Sequence, residues 1–201
     1  GECLYVALRL SGVTPQSHVI CYDLQTGLPR WQRLVAAAQT VGQGSVMEVT
    51  HNLLTLDQAT GTIYLGTGLG AIAALDTQDG RIRWVTTYPR MGVELANQHQ
   101  PAWHVQRDLT TCLLHRRLLV VAPPDSQQLF CLDAATGQKM WETQFADGKN
   151  DIVQLVGILD DKLIAAGRRL WWIDIHTGQL ASDVAVNPYT HSWRDGLAGC
   201  G

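Results

Sequence analysis

Short apolar runs alternate with turn residues along the whole chain, and few are long enough for a helix. Runs such as Gln128-Leu129-Phe130-Cys131-Leu132 and Lys139-Met140-Trp141-Glu142-Thr143 read as strands, with the intervening Asp133 to Gly137 as a turn. Asp bonds its own downstream backbone, and Gly accepts positive φ, so this pair closes a hairpin. The same hairpin fits Val19–Arg33, Ala71–Thr87 and Leu170–Val184. Two further strands precede each later hairpin: Glu48–Leu56 with Thr62–Leu65, Thr110–Arg116 with Leu118–Ala122, and Ile152–Leu159 with Lys162–Ala166. Only Cys3–Leu10 precedes the first. A helical period extends past a turn or two only near Leu34–Ala38.

The turn phrase recurs four times: Asp23 to Gly27, Asp76 to Gly80, Asp133 to Gly137 and Asp174 to Gly178. At one fixed interval after the Asp stand Trp31, Trp84 and Trp141, whereas the fourth copy has Ser182 there. Constant local spacing with variable gaps marks an array of similar supersecondary units. Each unit reads as a four-stranded antiparallel meander, the first without its opening strand. Such a sheet has two partly apolar faces and must stack on its neighbours. Radial stacking makes an all-β propeller, whereas a two-sheet sandwich gives no reason for four such turns. The blades are expected at about 1–33 (incomplete), 47–88, 108–146 and 151–187, with 188–201 a tail or the start of a further blade.

Composition narrows the setting. The chain has 201 residues, 46% hydrophobic and 16% charged, which suits a globular body with a sizeable core. The formal net charge is −3, and Lys and Arg are scattered rather than gathered, which argues against nucleic acid as a partner. No apolar run reaches membrane-spanning length. The sequence starts at Gly1 rather than Met and reads as a piece of a longer protein, so the absence of a visible export leader carries no information.

The pattern small-x-Asp-x-x-Thr-Gly-x-x-x-Trp resembles the tryptophan-docking motif of the pyrroloquinoline quinone (PQQ) type propellers. Ala74, Cys21 and Cys131 occupy the small position, while the fourth copy departs with Trp172 there. Further stretches (Thr50 to Leu56, Leu75 to Trp84 with Tyr88-Pro89-Arg90, and Val120 to Trp141) are similar to the middle of large PQQ-like repeat proteins of planctomycete-type bacteria. The resemblance implies that each Trp packs flat on a neighbouring blade while Asp and Gly fix the turn. It also implies seven or eight blades, of which about four are present here, with exposed edges prone to aggregation. A complete four-bladed ring is the alternative and requires a strand pairing with Cys3–Leu10.

By that resemblance, first strands line a channel whose mouth is built by the loops leading into them: Leu34–Met47, Tyr88–Asp108 and Phe145–Asp151. The middle loop is richest, with Arg90, His99, Trp103, His104, Arg107 and Asp108. Long loops in compact domains are often functional, against the plainer reading that this one packs over the next blade with Arg107 paired to Asp108. His51 and Asn52 lie on an expected channel strand, but alternation puts Glu48, Thr50 and Asn52 on one face and His51 on the other, which speaks against a metal there. No His or Cys pair has zinc spacing, and no EF-hand calcium loop is present. Gly66-Thr67-Gly68-Leu69-Gly70 falls between two strands and reads as a hairpin turn rather than a phosphate loop. Cys3, Cys21, Cys112, Cys131 and Cys200 do not make a disulfide framework. Cys21 and Cys131 read as small packers, with Cys112 on an inner strand. Trp171 and Trp172 are adjacent on one strand and face opposite sides.

Three functions are compatible with this reading. One is a non-catalytic binding or assembly platform in the cell envelope (periplasm, outer membrane or secreted), working with protein partners or further blades. The second is part of a PQQ-dependent dehydrogenase, which by resemblance requires PQQ with calcium held by Glu, Asn and Asp, an Arg on the quinone, and commonly an adjacent Cys pair that this sequence lacks. Glu48, Asn52, Asp108 and Arg90 are the residues at hand for it. The third is a sensor propeller attached to an effector domain.

Overall fold

The computed structural model describes residues 2–12, 14–38, 53–90, 111–126, 128–143, 152, 154–167 and 170–180. Those residues form strands and turns with no helix among them. The strands are β1 (Cys3–Leu10), β2 (Gln16–Asp23), β3 (Pro29–Ala37), β4 (Leu54–Asp57), β5 (Thr62–Gly66), β6 (Ala71–Asp76), β7 (Ile82–Thr87), β8 (Leu113–His115), β9 (Leu118–Val121), β10 (Leu129–Asp133), β11 (Lys139–Thr143), β12 (Gln154–Leu159), β13 (Lys162–Ala166) and β14 (Leu170–Asp174). They make four antiparallel sheets in simple sequential order: β1-β2-β3, β4-β5-β6-β7, β8-β9-β10-β11 and β12-β13-β14. An isolated bridge from Leu180 to Ile173 opens a further pairing at the edge of the last sheet.

The sheets stack face to face. Each interface has its own apolar core: Val19, Ile63, Leu65, Ala73 and Leu75 between the first two sheets, Tyr64, Leu119, Phe130 and Leu132 between the middle two, and Leu129, Cys131, Leu163 and Ile173 between the last two. The first strands β4, β8 and β12 follow one another along one side of the stack. A hydrogen bond from Thr55 Oγ1 to the carbonyl of Cys112 (2.5 Å) ties β4 to the residue leading into β8. This is the layered arrangement of propeller blades.

Two expectations change. Leu34–Ala38 is not helical, because β3 runs through Ala37 and pairs with β2 as far as Gln16. The loop expected from Leu34 therefore does not start there. Cys112 lies just before β8 rather than on it. The Gly66–Gly70 segment closes the β5–β6 hairpin, with Thr67 Oγ1 donating to the Ala71 carbonyl (2.7 Å) and the Leu69 amide donating to Thr67 Oγ1 (3.1 Å).

Candidate functional site: the docking turns and the Asp125 clasp

Each Asp–Gly turn is built by the same bonds. The Gly amide donates to the Asp carbonyl at Gly27, Gly80, Gly137 and Gly178 (2.8–3.0 Å), and each of these glycines has φ between +67 and +73. The Asp amide in turn donates across the turn to the carbonyl of Leu28, Arg81, Gln138 or Gln179. Asp Oδ1 accepts the amide two residues on, as in Gln25 to Asp23 (2.9 Å) and Gln78 to Asp76 (2.8 Å). In the first, third and fourth copies it also accepts the Thr amide. The second copy has Asp79 in place of Thr, and its Oδ1 accepts the Arg81 amide (2.8 Å).

A bulge then places the tryptophan. Cys21, Ala74 and Cys131 lie directly opposite Trp31, Trp84 and Trp141, and the register slips immediately afterwards in all three hairpins. The residue skipped by the slip is Arg30, Arg83 or Met140. The two arginines turn back onto the turn carboxylate: Arg30 binds Asp23, and Arg83 Nη2 meets Asp76 Oδ2 at 2.8 Å. In the third hairpin, Met140 has no charge to give, and Arg117 Nη2 takes the role on Asp133 (2.8 Å). The Arg30 pairing and the Thr26 amide hold the Asp23 carboxyl well below the usual carboxylate range. Arg83, and then the Gln78 amide, lower the Asp76 carboxyl. The composition of the motif does not announce this arginine, although its place just before the Trp in two copies was the available signal.

Every docking tryptophan reaches the turn of the next blade. Trp31 Nε1 donates to the Thr77 carbonyl (3.2 Å), Trp84 Nε1 to Ala134 (2.9 Å) and Trp141 Nε1 to Ile175 (2.7 Å). The six-membered rings of the same indoles lie over Gly80, Gly137 and Gly178, where an added Cβ would sit 2.5 Å from ring carbon Cε3. These glycines are thus required both for positive φ and for the close approach of the ring. The residue two beyond the Trp adds a bond in two blades, Arg33 Nε to the Gly80 carbonyl (2.9 Å) and Thr86 Oγ1 to the Gly137 carbonyl (2.5 Å). Tyr5 and Tyr64 pack against Trp31 and Trp84 in the same tilted geometry, with centroids 6.0 Å apart.

At the opposite end of the second and third sheets sits the described part of the expected mouth. Asp125 Oδ1 accepts from the Tyr88 hydroxyl (2.5 Å), and Oδ2 accepts from the Gly70 amide (2.9 Å) and Arg90 Nε (3.0 Å). Burial, then the Asp125 charge, pushes the Tyr88 hydroxyl well above its ordinary value. Arg90 thus ties its blade to a carboxylate of the neighbouring one. His51, Asn52, His99, Trp103, His104, Arg107 and Asp108 lie outside the described residues, as does Glu48. Among the described residues, no three His, Cys, Asp or Glu side chains converge on one point. The described donors therefore do not make a quinone–calcium site. Burial pushes the Cys112 and Cys131 thiols up to about 12, the values of inert packing groups rather than nucleophiles.

Comparison with known proteins agrees with this architecture. Residues 9–113 match the PQQ-repeat family described as outer membrane protein assembly factor BamB. The chain belongs to that family. No curated protein matches it. Among solved structures, BamB from Moraxella catarrhalis is similar at 20% identity and TM-score 0.52, over 84% of this chain and 48% of that one. Saccharomyces cerevisiae Sqt1 is similar at 12% identity and TM-score 0.57, over 84% of this chain and 44% of that one. The quinohemoprotein alcohol dehydrogenase of Comamonas testosteroni aligns at 20% identity and TM-score 0.43, over 60% of this chain and 19% of that one. This PQQ-family segment thus spans less than half the length of the solved chains it matches.

Proposed function

We propose that this protein is a non-catalytic PQQ-type propeller that works as a protein-binding assembly platform in the bacterial cell envelope. The observation that carries the reading is the match of residues 9–113 to a family described as an outer membrane protein assembly factor. It is supported by where the polar chemistry goes. The turn carboxylates, Arg83, Arg90, Tyr88 and the N–H groups of the docking indoles Trp31, Trp84 and Trp141 are spent within or between blades. A propeller so braced offers its rims and loops to partners and asks nothing of a reactive centre.

The test is genetic and biochemical together. Deleting the gene should lower the amount of folded outer-membrane β-barrel protein, read by heat-modifiable gel mobility. Undiminished barrel assembly would overturn the reading. Should the purified protein then reduce a dye with alcohols when given PQQ and calcium, the dehydrogenase alternative takes its place.

A further inference from the structure

The first hairpin differs from the other three in what it places beside the turn carboxylate. The register sets Cys3 opposite Asp23 and Tyr5 opposite Cys21, so Cys3, Tyr5 and Cys21 share one face, the face that meets the second sheet. In the other sheets Thr62, Leu118 and Lys162 stand opposite the turn Asp. The place of Cys21, two residues before that Asp, is held there by Ala74, Cys131 and Trp172. The first sheet alone therefore carries a thiol at both positions. Cys3 Sγ replaces Thr62 Oγ1: Arg30 Nη1 donates to the sulfur (3.1 Å) as Arg83 Nη1 donates to the hydroxyl (2.6 Å). The Cys3 thiol is within hydrogen-bonding reach of Cys21 and of the Tyr5 hydroxyl. Cys21 is fully buried and Cys3 half-buried, so solvent meets the pair at Cys3. Burial, and then the Cys3 thiol, push the Cys21 thiol up to about 11. A proton held so firmly leaves when a thiophilic metal takes its place.

We infer that Cys3 and Cys21 form a two-thiolate site for a soft, two-coordinate monovalent cation of the Cu(I) class, seated at the joint between the first and second blades. Thiolate ligands select cations of this kind. The strand geometry favours a cation over a disulfide. Diagonal neighbours across an antiparallel pair stand about 7–8 Å apart at Cα. A disulfide spans only about 4.4–6.8 Å. A metal between the two sulfurs lengthens the link and joins such neighbours without drawing the strands together. Zinc is a poor fit, since it takes at least three protein ligands. The carboxylate beside the thiols, Asp23, is already held by Arg30 and by the Gln25 and Thr26 amides. On binding, two S–Cu bonds replace two S–H bonds, the thiol protons pass to solvent, and no electron is transferred. The Arg30 N–H on Cys3 Sγ faces the negative charge that the thiolates bring. This inference stands apart from the assembly reading, since it rests on these side chains alone.

Competition for Cu(I) between a chromogenic chelator and the reduced protein encoded by the whole gene, without oxygen, tests it. The variants copy the second blade, so each new side chain is one the fold already accepts at that place: Cys3→Thr after Thr62, and Cys21→Ala after Ala74. Each should weaken Cu(I) binding by about a hundredfold or more. Cys131→Ala removes the matching thiol of the third blade, which has Leu118 rather than a second thiol beside it, and should leave binding unchanged. X-ray absorption at one equivalent of copper should show two sulfur neighbours. Equal affinity in the parent, Cys3→Thr and Cys21→Ala overturns the proposal, as does copper with no sulfur neighbour. A Cys3–Cys21 disulfide in the protein as isolated, read as the loss of two hydrogens in peptide mass, overturns it too. So does zinc binding that needs both thiols, which would require further ligands.

Discussion

Trp84 lies so close over Gly137 that a single methyl group there would stand 2.5 Å from Cε3 of the indole and 2.7 Å from Thr86 Oγ1. The two residues belong to different blades and act as one joint. Trp84→Ala should cost about 3–5 kcal/mol through lost burial and an unfilled gap. Gly137→Ala should cost about 2–5 kcal/mol, combining positive-φ strain with overpacking. In the Trp84→Ala background, the cost should fall to the strain of about 1–2 kcal/mol plus the contact with Thr86 Oγ1. A double-mutant cycle by denaturant unfolding reads this coupling, and simple additivity would contradict the joint.

Asp125 holds three donors from the blade before it, so its loss should be felt at that interface. Asp125→Ala leaves the Tyr88 hydroxyl and Gly70 amide without their acceptor, at about 1–3 kcal/mol for each buried group. Asp125→Asn keeps one oxygen and should cost less. Equal stability of the Ala variant and the parent, measured by thermal unfolding, would show that the clasp is dispensable.

The buried thiols predict an alkaline limit. Cys112 and Cys131 are raised by burial from about 9 to about 12, so the unfolded chain ionises first as pH rises. Stability from these groups is intact below about pH 9 and falls as pH climbs toward about 12. Cys112→Ala with Cys131→Ala should flatten that decline in urea unfolding. In alkylation followed by mass spectrometry at neutral pH, Cys3 should be labelled well before Cys21, Cys112 and Cys131.

The turn carboxylates predict an acid limit of opposite sign. Arg30 and Arg83 depress Asp23 and Asp76. At Asp133 the opposing pull of burial is outweighed by Thr136 and Arg117, and at Asp174 the Thr177 amide and hydroxyl lower the carboxyl. Their stabilisation is present above about pH 4, the ordinary carboxylate range, and is lost as pH falls through the depressed values. Asp76→Asn should lower stability near neutrality and reduce its slope below about pH 4. An unchanged slope in acid titrations of unfolding would remove this carboxylate from the acid response.

The hairpins and their stacking were legible because Asp, Gly and Trp are close in sequence and their spacing is set by one turn. The direction of docking was not. Whether Trp84 meets the turn at Gly80's side or at Gly137's depends on sheet twist, which no local spacing encodes. The bulge that turns Arg83 back onto Asp76 was hidden for the same reason, since a register slip leaves the alternation almost unchanged. The Tyr88–Asp125 bond joins residues 37 apart across a blade interface and has no motif at all. Leu34–Ala38 misled because a run of small and apolar residues fits either period until its partner strand is known. Of the candidate ligand-binding residues in the expected mouth, Arg90 alone falls within the described residues, and there it pairs with Asp125.

Each of the two middle blades gives an indole from one face and receives one on the other. The interface is therefore heterologous, and the stack has a polarity like a row of hooks and eyes. Two such stacks placed back to back about a two-fold axis would set hook against hook. Such a stack closes on itself only by rotation into a circle, and the number of blades in a closed ring follows from the angle at each tryptophan joint rather than from the strength of any one of them.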